Sequence, residues 1–170
     1  MIEKIIYIVL LPSVLANVLH MFLVKKGVLS VLAWPIQERM FGQNKTYRGF
    51  IFITLLTATF SGVGSFFVES ITAQQGMFTG ALIGLAYSFF ELPNSFLKRR
   101  LGIKSGGTSI RNKWAFIVLD KTDSTFGVSL VYFLVSDLSI LQGLYLFFVS
   151  VALHVVFSFL LVAVKIKKSF

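Results

Sequence analysis

Residues 90–127, FELPNSFLKRRLGIKSGGTSIRNKWAFIVLDKTDSTFG, decide how the chain is read. They hold three of its seven carboxylates and its densest cluster of basic residues, yet long apolar runs flank them on both sides. Charge placed in such surroundings costs free energy unless it is paired or used. The rest of the sequence reads as a frame around this stretch.

That frame is a membrane frame. Of 170 residues, 56% are hydrophobic and only 14% charged, with a mean hydropathy of +0.83; soluble domains run near roughly one-quarter charged. The sequence predicts an all-α, polytopic integral membrane protein with five spans, near Ile5–Val24, Gly49–Val68, Met77–Leu92, Trp114–Ser136 and Leu141–Val164. Each approaches or exceeds the roughly 20 residues a helix needs to cross the hydrocarbon core. Helices are expected because backbone groups in lipid must be satisfied within the segment, and no alternating strand pattern suggests a barrel. The N-terminal run lacks a small-residue cleavage site before a polar domain and reads as a retained span. Gly76, Gly80 and Gly84 recur every four residues, the mark of a helix face packed closely on a neighbour. The chain forms one domain, 1–170, with two polar segments, 25–48 and 93–113.

Charge distribution sets the expected orientation. Lys25, Lys26, Arg39, Lys45 and Arg48 follow the first span. Lys98, Arg99, Arg100, Lys104, Arg111 and Lys113 follow the third, and Lys165, Lys167 and Lys168 follow the last. The connections 69–75 and 137–140 contain no Lys or Arg. By the positive-inside rule the N-terminus is outside, the C-terminus cytoplasmic, and fourteen of the sixteen basic residues face the cytoplasm. The net charge of +9 is therefore assigned to topology and anionic groups, with no nucleic acid as partner. There are no cysteines, so thiolate and disulfide chemistry are excluded. No internal repeat is visible, which counts against a typical secondary transporter.

Asp120 and Asp123 lie inside the fourth apolar segment. Their i, i+3 spacing puts both carboxylates on one helical face, where they repel unless a cation sits between them. Oxygen ligands so spaced suit Mg²⁺ with substrate phosphates completing the shell. The alternative is a buried ion pair with Lys121 or a loop arginine. Glu91, at the end of the third span before Pro93, is a candidate third metal oxygen or an interfacial cap. Ser95, Lys98, Arg99 and Arg100 then place hydroxyl and cations beside those carboxylates, the combination used to bind phosphates with a metal. The segment Gly102–Ser109 is a candidate phosphate-wrapping loop, although it lacks the ending of a P-loop. In the first polar segment Asn44, Lys45, Thr46 and Arg48 are candidate nucleotide or phosphate contacts, against a plain topology loop. His20 and His154 are expected as packing or hydrogen-bonding histidines.

Several of these segments together resemble one family. Pro35-Ile36 and Arg39-Met-Phe-Gly-Gln-Asn-Lys-Thr-Tyr-Arg-Gly-Phe50 are similar to the first cytoplasmic loop of the CDP-archaeol synthases. Those are integral-membrane cytidylyltransferases, distantly related to phosphatidate cytidylyltransferases. Ser95-Phe-Leu-Lys-Arg-Arg-Leu-Gly-Ile103 resembles their second loop, and Leu119-Asp-Lys-Thr-Asp123 the Leu-Asp-x-x-Asp that follows; Ala16-Asn17 is also similar. The matches come in family order and span most of the chain. The resemblance implies transfer of CMP from CTP to a lipid phosphate, giving a CDP-lipid and pyrophosphate in phospholipid biosynthesis, with Mg²⁺ as cofactor. It implies Asp120 and Asp123 as metal ligands, with Glu91 in the place of the family's aspartate. Asp120, Asp123 and Lys98 would carry the reaction, with Ser95, Arg99 and Arg100 on phosphates and Lys45, Thr46, Arg48 and Asn44 on the nucleotide. Expected partners are CTP, a lipid-phosphate acceptor and membrane lipids, at the cytoplasmic face of the cell membrane, and a homodimer is compatible with them.

Three positions depart from the family pattern. Phe90-Glu91-Leu92 stands for Gly-Asp-Leu, Lys121 for Gln, and His154-Val-Val-Phe-Ser158 for His-Pro-Leu-x-Asn. These departures keep a second expectation open, a non-catalytic member retained for lipid binding or assembly. A small cation transporter, the third alternative, explains the intramembrane carboxylates but not the basic loop.

Overall fold

The computed structural model describes residues 1–107 and 113–166, and every regular element among them is helical. A three-residue helix α1 (Ile2–Lys4) runs through a π-helical segment (Ile5–Leu10) into α2 (Leu11–Lys25). The irregularity has a local cause. Pro12 has no N–H for the carbonyl of Ile8, four residues back, and that carbonyl instead accepts a hydrogen bond from Ser61 Oγ at 2.8 Å. A backbone group freed inside an apolar bundle is thus satisfied by the neighbouring helix.

After α2 the chain folds a compact loop carrying α3 (Glu38–Phe41). The loop closes on itself: Ile36 N–H donates to Lys45 O at 2.9 Å and Tyr47 N–H to Trp34 O at 3.1 Å. Gly42, at φ +84°, makes the turn out of α3. This short ladder fixes Lys45 immediately before α4 (Tyr47–Gly64), whose N-cap Thr46 accepts from Gly49 N–H at 3.2 Å. Then come α5 (Ala73–Arg100), α6 (Lys113–Val135) and α7 (Ile140–Ala163). Thr72 and Ser139 start α5 and α7 with reciprocal capping boxes to Gln75 and Gln142.

Three helical stretches, Ile2–Lys25, Tyr47–Phe67 and Ile140–Ala163, are long and apolar enough to cross a membrane, consistent with a membrane protein. Their outer faces show large apolar side chains to the surroundings, Leu141, Phe148 and Phe159 on α7 among them. The other two expected spans correspond to α5 and α6, which are long but more polar. Asp120, Lys121 and Asp123 interrupt α6. The expected third span, Met77–Leu92, is only the middle of α5. That helix passes through Pro93 and continues to Arg100, so Ser95, Lys98 and Arg99 stand on a helix and not in the loop expected at 93–113. One proline removes one backbone bond; the turns beyond it are held because Asn94, Ser95 and Lys98 are buried.

The glycine face of α5 packs on α4 as its spacing predicts. A Cβ on Gly80 would lie 2.6 Å from the Ser61 side chain and from Thr57 O, and one on Gly84 would lie 2.7 Å from Thr54 Cα. The apolar core formed by Ile5, Ile8, Val9, Val68, Ile83, Val128, Tyr132 and Leu146 occupies one end of the bundle. At the other end the basic termini gather, and Lys25 Nζ donates to Lys165 O at 3.1 Å, tying the end of α2 to the end of α7.

Candidate functional site

Between these termini lies a cavity of about 360 Å³. On α5 the residues Glu91, Asn94, Ser95 and Lys98 follow i, i+3, i+4, i+7 spacing, which aims them along one face. That face meets Asp120 and Asp123 of α6, and the loop before α4 adds Asn44, Lys45 and Thr46 as a third wall. Arg99, the turn at Ser105–Gly107, Asn17, His20, Tyr87, His154 and Ser158 also line it. Most of the residues singled out from sequence therefore share one space.

Two of them do not. Arg48 turns away and donates to Val28 O at 3.2 Å, and Arg100 lies over the Phe96 ring at 5.0 Å; neither lines the cavity. The expected phosphate loop is also corrected in part. Gly102 N–H donates to Arg99 O and Ile103 N–H to Lys98 O, closing α5 in a Schellman-type turn with Gly102 at φ +72°. Gly107 N–H donates to Lys104 O. These amides are spent on capping and turning. Thr108, Ser109, Arg111, Lys167 and Lys168 lie outside the described residues.

The centre of the cavity is a tight polar cluster. Lys98, only 8% exposed, places its ammonium 2.5 Å from both oxygens of Asp120 and 5.7 Å from the centroid of the Phe116 ring. A buried ammonium needs such a partner, since an unpaired charge at that depth would be strongly destabilising. Asn94 Nδ2 donates to Asp120 Oδ1 and to Asp123 Oδ2, 2.7 Å each. Asp123 Oδ1 accepts from the N–H of Ser124 at 2.6 Å. The ion-pair alternative raised for the aspartates is met, but by Lys98. Lys121 is buried and lines the same space.

Glu91 is engaged elsewhere. Its carboxylate forms an ion pair with Lys45, strapping the first loop to α5. Among the described residues no three His, Cys, Asp or Glu side chains converge to hold a metal. The expected trio of Asp120, Asp123 and Glu91 is thus not assembled. Oxygen donors suited to Mg²⁺ are nevertheless present. Besides the two aspartates, the side-chain oxygen of Asn94 is buried and has no hydrogen-bond partner among the described residues. An orphaned buried acceptor costs about 1–3 kcal/mol, and it sits beside two carboxylates of the type that hard cations prefer. Asp120, Asp123 and Asn94 fit such an ion; Glu91 in its present pairing does not.

Phe90, which departs from the family pattern, is accommodated by its neighbour: the ring packs directly over Gly127 of α6, where no side chain would fit. Tyr87 OH accepts from Asn17 Nδ2 at 3.0 Å, and the Tyr87 and His154 rings stack at 6.3 Å. Both histidines read from sequence as packing residues therefore also face the cavity. Asn94 was not singled out by the sequence. The signal was there, since it shares the Glu91–Lys98 helical face, but only if α5 is allowed to continue through Pro93.

Comparison with known proteins adds no relative: no protein family, no curated protein and no solved structure matches this chain.

Proposed function

We propose that this protein is a membrane cytidylyltransferase that transfers CMP from CTP to a lipid phosphate, releasing pyrophosphate. The observation that carries the proposal is convergence. Three sequence segments separated by dozens of residues, around Lys45, Ser95–Arg99 and Asp120–Asp123, line one cavity at the basic end of the bundle. That pairing of carboxylates with cations suits a triphosphate and its metal.

In this proposal the chain crosses the membrane five times, with α5 and α6 as the two polar spans shielded by the others. The N-terminus is outside and the cavity opens to the cytoplasm, in keeping with the positive-inside rule. A lipid-phosphate oxygen attacks the α-phosphorus of CTP and the bond to pyrophosphate breaks. Mg²⁺, when bound, neutralises triphosphate charge. Asp120 and Asp123 provide its carboxylates, Lys98 and Arg99 meet the phosphates and the departing pyrophosphate, and Ser95 donates to a phosphate oxygen. Lys45, Thr46 and Asn44 border the nucleotide. The test is purified protein in lipid nanodiscs with CTP, a lipid-phosphate acceptor and Mg²⁺. CDP-lipid and pyrophosphate should form in equal amounts, and Asp120→Asn should form both at least about 100-fold more slowly. Transfer near the unaltered rate by a verified Asp120→Asn preparation would defeat the assignment.

A second function is favoured by one observation, the internal neutralisation of Asp120 by Lys98 and of Glu91 by Lys45. A site so satisfied suits a lipid-binding or assembly protein without turnover. Nucleotide affinity without CDP-lipid formation would select it.

A further inference from the structure

We infer that Asn94, and not Glu91, supplies the third oxygen of a divalent-cation site with Asp120 and Asp123; the inference rests on the metal-dependent function proposed above. Asn94 is 6% exposed, lines the cavity, and donates to both aspartates. Its two ends are unequally used. The NH₂ group makes both contacts while the oxygen makes none among the described residues. An amide is nearly symmetric in shape, so a half-turn of its plane exchanges nitrogen for oxygen without displacing neighbours.

The present orientation suits a site whose positive charge comes from within. Lys98 supplies the cation and the NH₂ hydrogens face the carboxylates. A divalent ion between Asp120 and Asp123 reverses the requirement, because those hydrogens would then point at a cation. Turning the amide presents Oδ1 instead and completes three oxygens from two adjacent helices, α5 and α6. Two carboxylates balance the divalent charge, so Lys98 becomes surplus there and is freed for an anion in the same cavity. One Glu91 oxygen is already held by Lys45, whereas the Asn94 oxygen is uncommitted among the described residues.

The experiment is Mn²⁺ binding to the purified full chain, without nucleotide, read by the loss of the free-ion electron paramagnetic resonance signal. Asn94→Leu should weaken binding about 10- to 100-fold, as removal of a metal-site partner does. Asn94→Asp, which also removes the NH₂ bridge but keeps an oxygen, should bind at least as tightly as the unaltered protein. Glu91→Gln should leave affinity within about threefold, well short of the loss of a metal-site partner. If Asn94→Leu is not recovered folded, Asn94→Ala carries the same expectation. Equal weakening by the Asp and Leu (or Ala) substitutions would mean that Asn94 acts only as a bridge, and overturns the inference. So would unchanged affinity in Asn94→Leu together with loss in Asp120→Asn, which leaves the metal assignment intact. Unchanged affinity in Asp120→Asn removes that assignment and the inference with it.

Discussion

The two halves of α5 are held to their neighbours by opposite means. From Gly76 to Gly84 the helix meets α4 almost backbone to backbone, with small residues on both sides and no charge. From Glu91 to Lys98 it meets α6 and the first loop through ion pairs and hydrogen bonds around a cavity. The first kind of contact is rigid and tolerates no added atom. The second leaves space and carries groups that can exchange partners. One helix thus anchors a changeable site to a fixed frame, and substitutions at its two kinds of contact should differ in whether transfer is lost from protein that still folds.

The largest effect expected is on chemistry. Asp120→Asn should reduce CMP transfer by about 100- to 1000-fold, the scale of losing one principal charge-stabilising group. It also leaves the buried Lys98 ammonium without its counter-charge, so thermal unfolding in detergent should come earlier as well; transfer must be lost even in the protein that remains folded. In the glycine half Gly80→Leu should act on folding alone. Its side chain would meet Ser61 and the Thr57 carbonyl, and backbone cannot yield cheaply. Overpacking of this kind costs about 1–3 kcal/mol or more, to be seen as a lower melting temperature or loss of monodisperse protein. A normal melting curve for Gly80→Leu would break the comparison.

Smaller effects sharpen it. Glu91→Gln removes the ion pair of a strap whose side chains are about a quarter exposed (23% and 26%), so it should cost at most about 1 kcal/mol, and less at high salt. Its signature should be a raised KM for CTP, because the strap positions the loop that borders the nucleotide. Arg100→Ala should be nearly silent in transfer assays, within about twofold, since its contact among the described residues is the cation–π one with Phe96, worth about 0.5–1 kcal/mol. A large loss of activity there would mean that Arg100 reaches the cavity after all.

Much of this was legible in the sequence. Apolar runs announced helices, Gly76, Gly80 and Gly84 announced a close packing face, and the i, i+3 aspartates announced a shared helical face. The misplaced features have a common origin. Pro93 and the run of cations after it look like a helix end and a loop, because local propensity and charge both say so. Burial of Asn94, Ser95 and Lys98 against α6 outweighs the one backbone bond that proline removes. Arg48 and Arg100 look equal to Lys98 and Arg99 in sequence, and only the direction of the helix face separates them.

The sequence by itself determined the helical class, the apolar frame, the basic end and the identity of most cavity-lining charges, because these follow from composition and from the 3.6-residue period. Tertiary structure alone decided which charge answers which. Lys98 pairs with Asp120 and Lys45 with Glu91, while Asn94 bridges the two aspartates and leaves one buried oxygen without a partner among the described residues. Such pairings depend on how α5, α6 and the first loop are set against one another, and no spacing along a single chain segment encodes that.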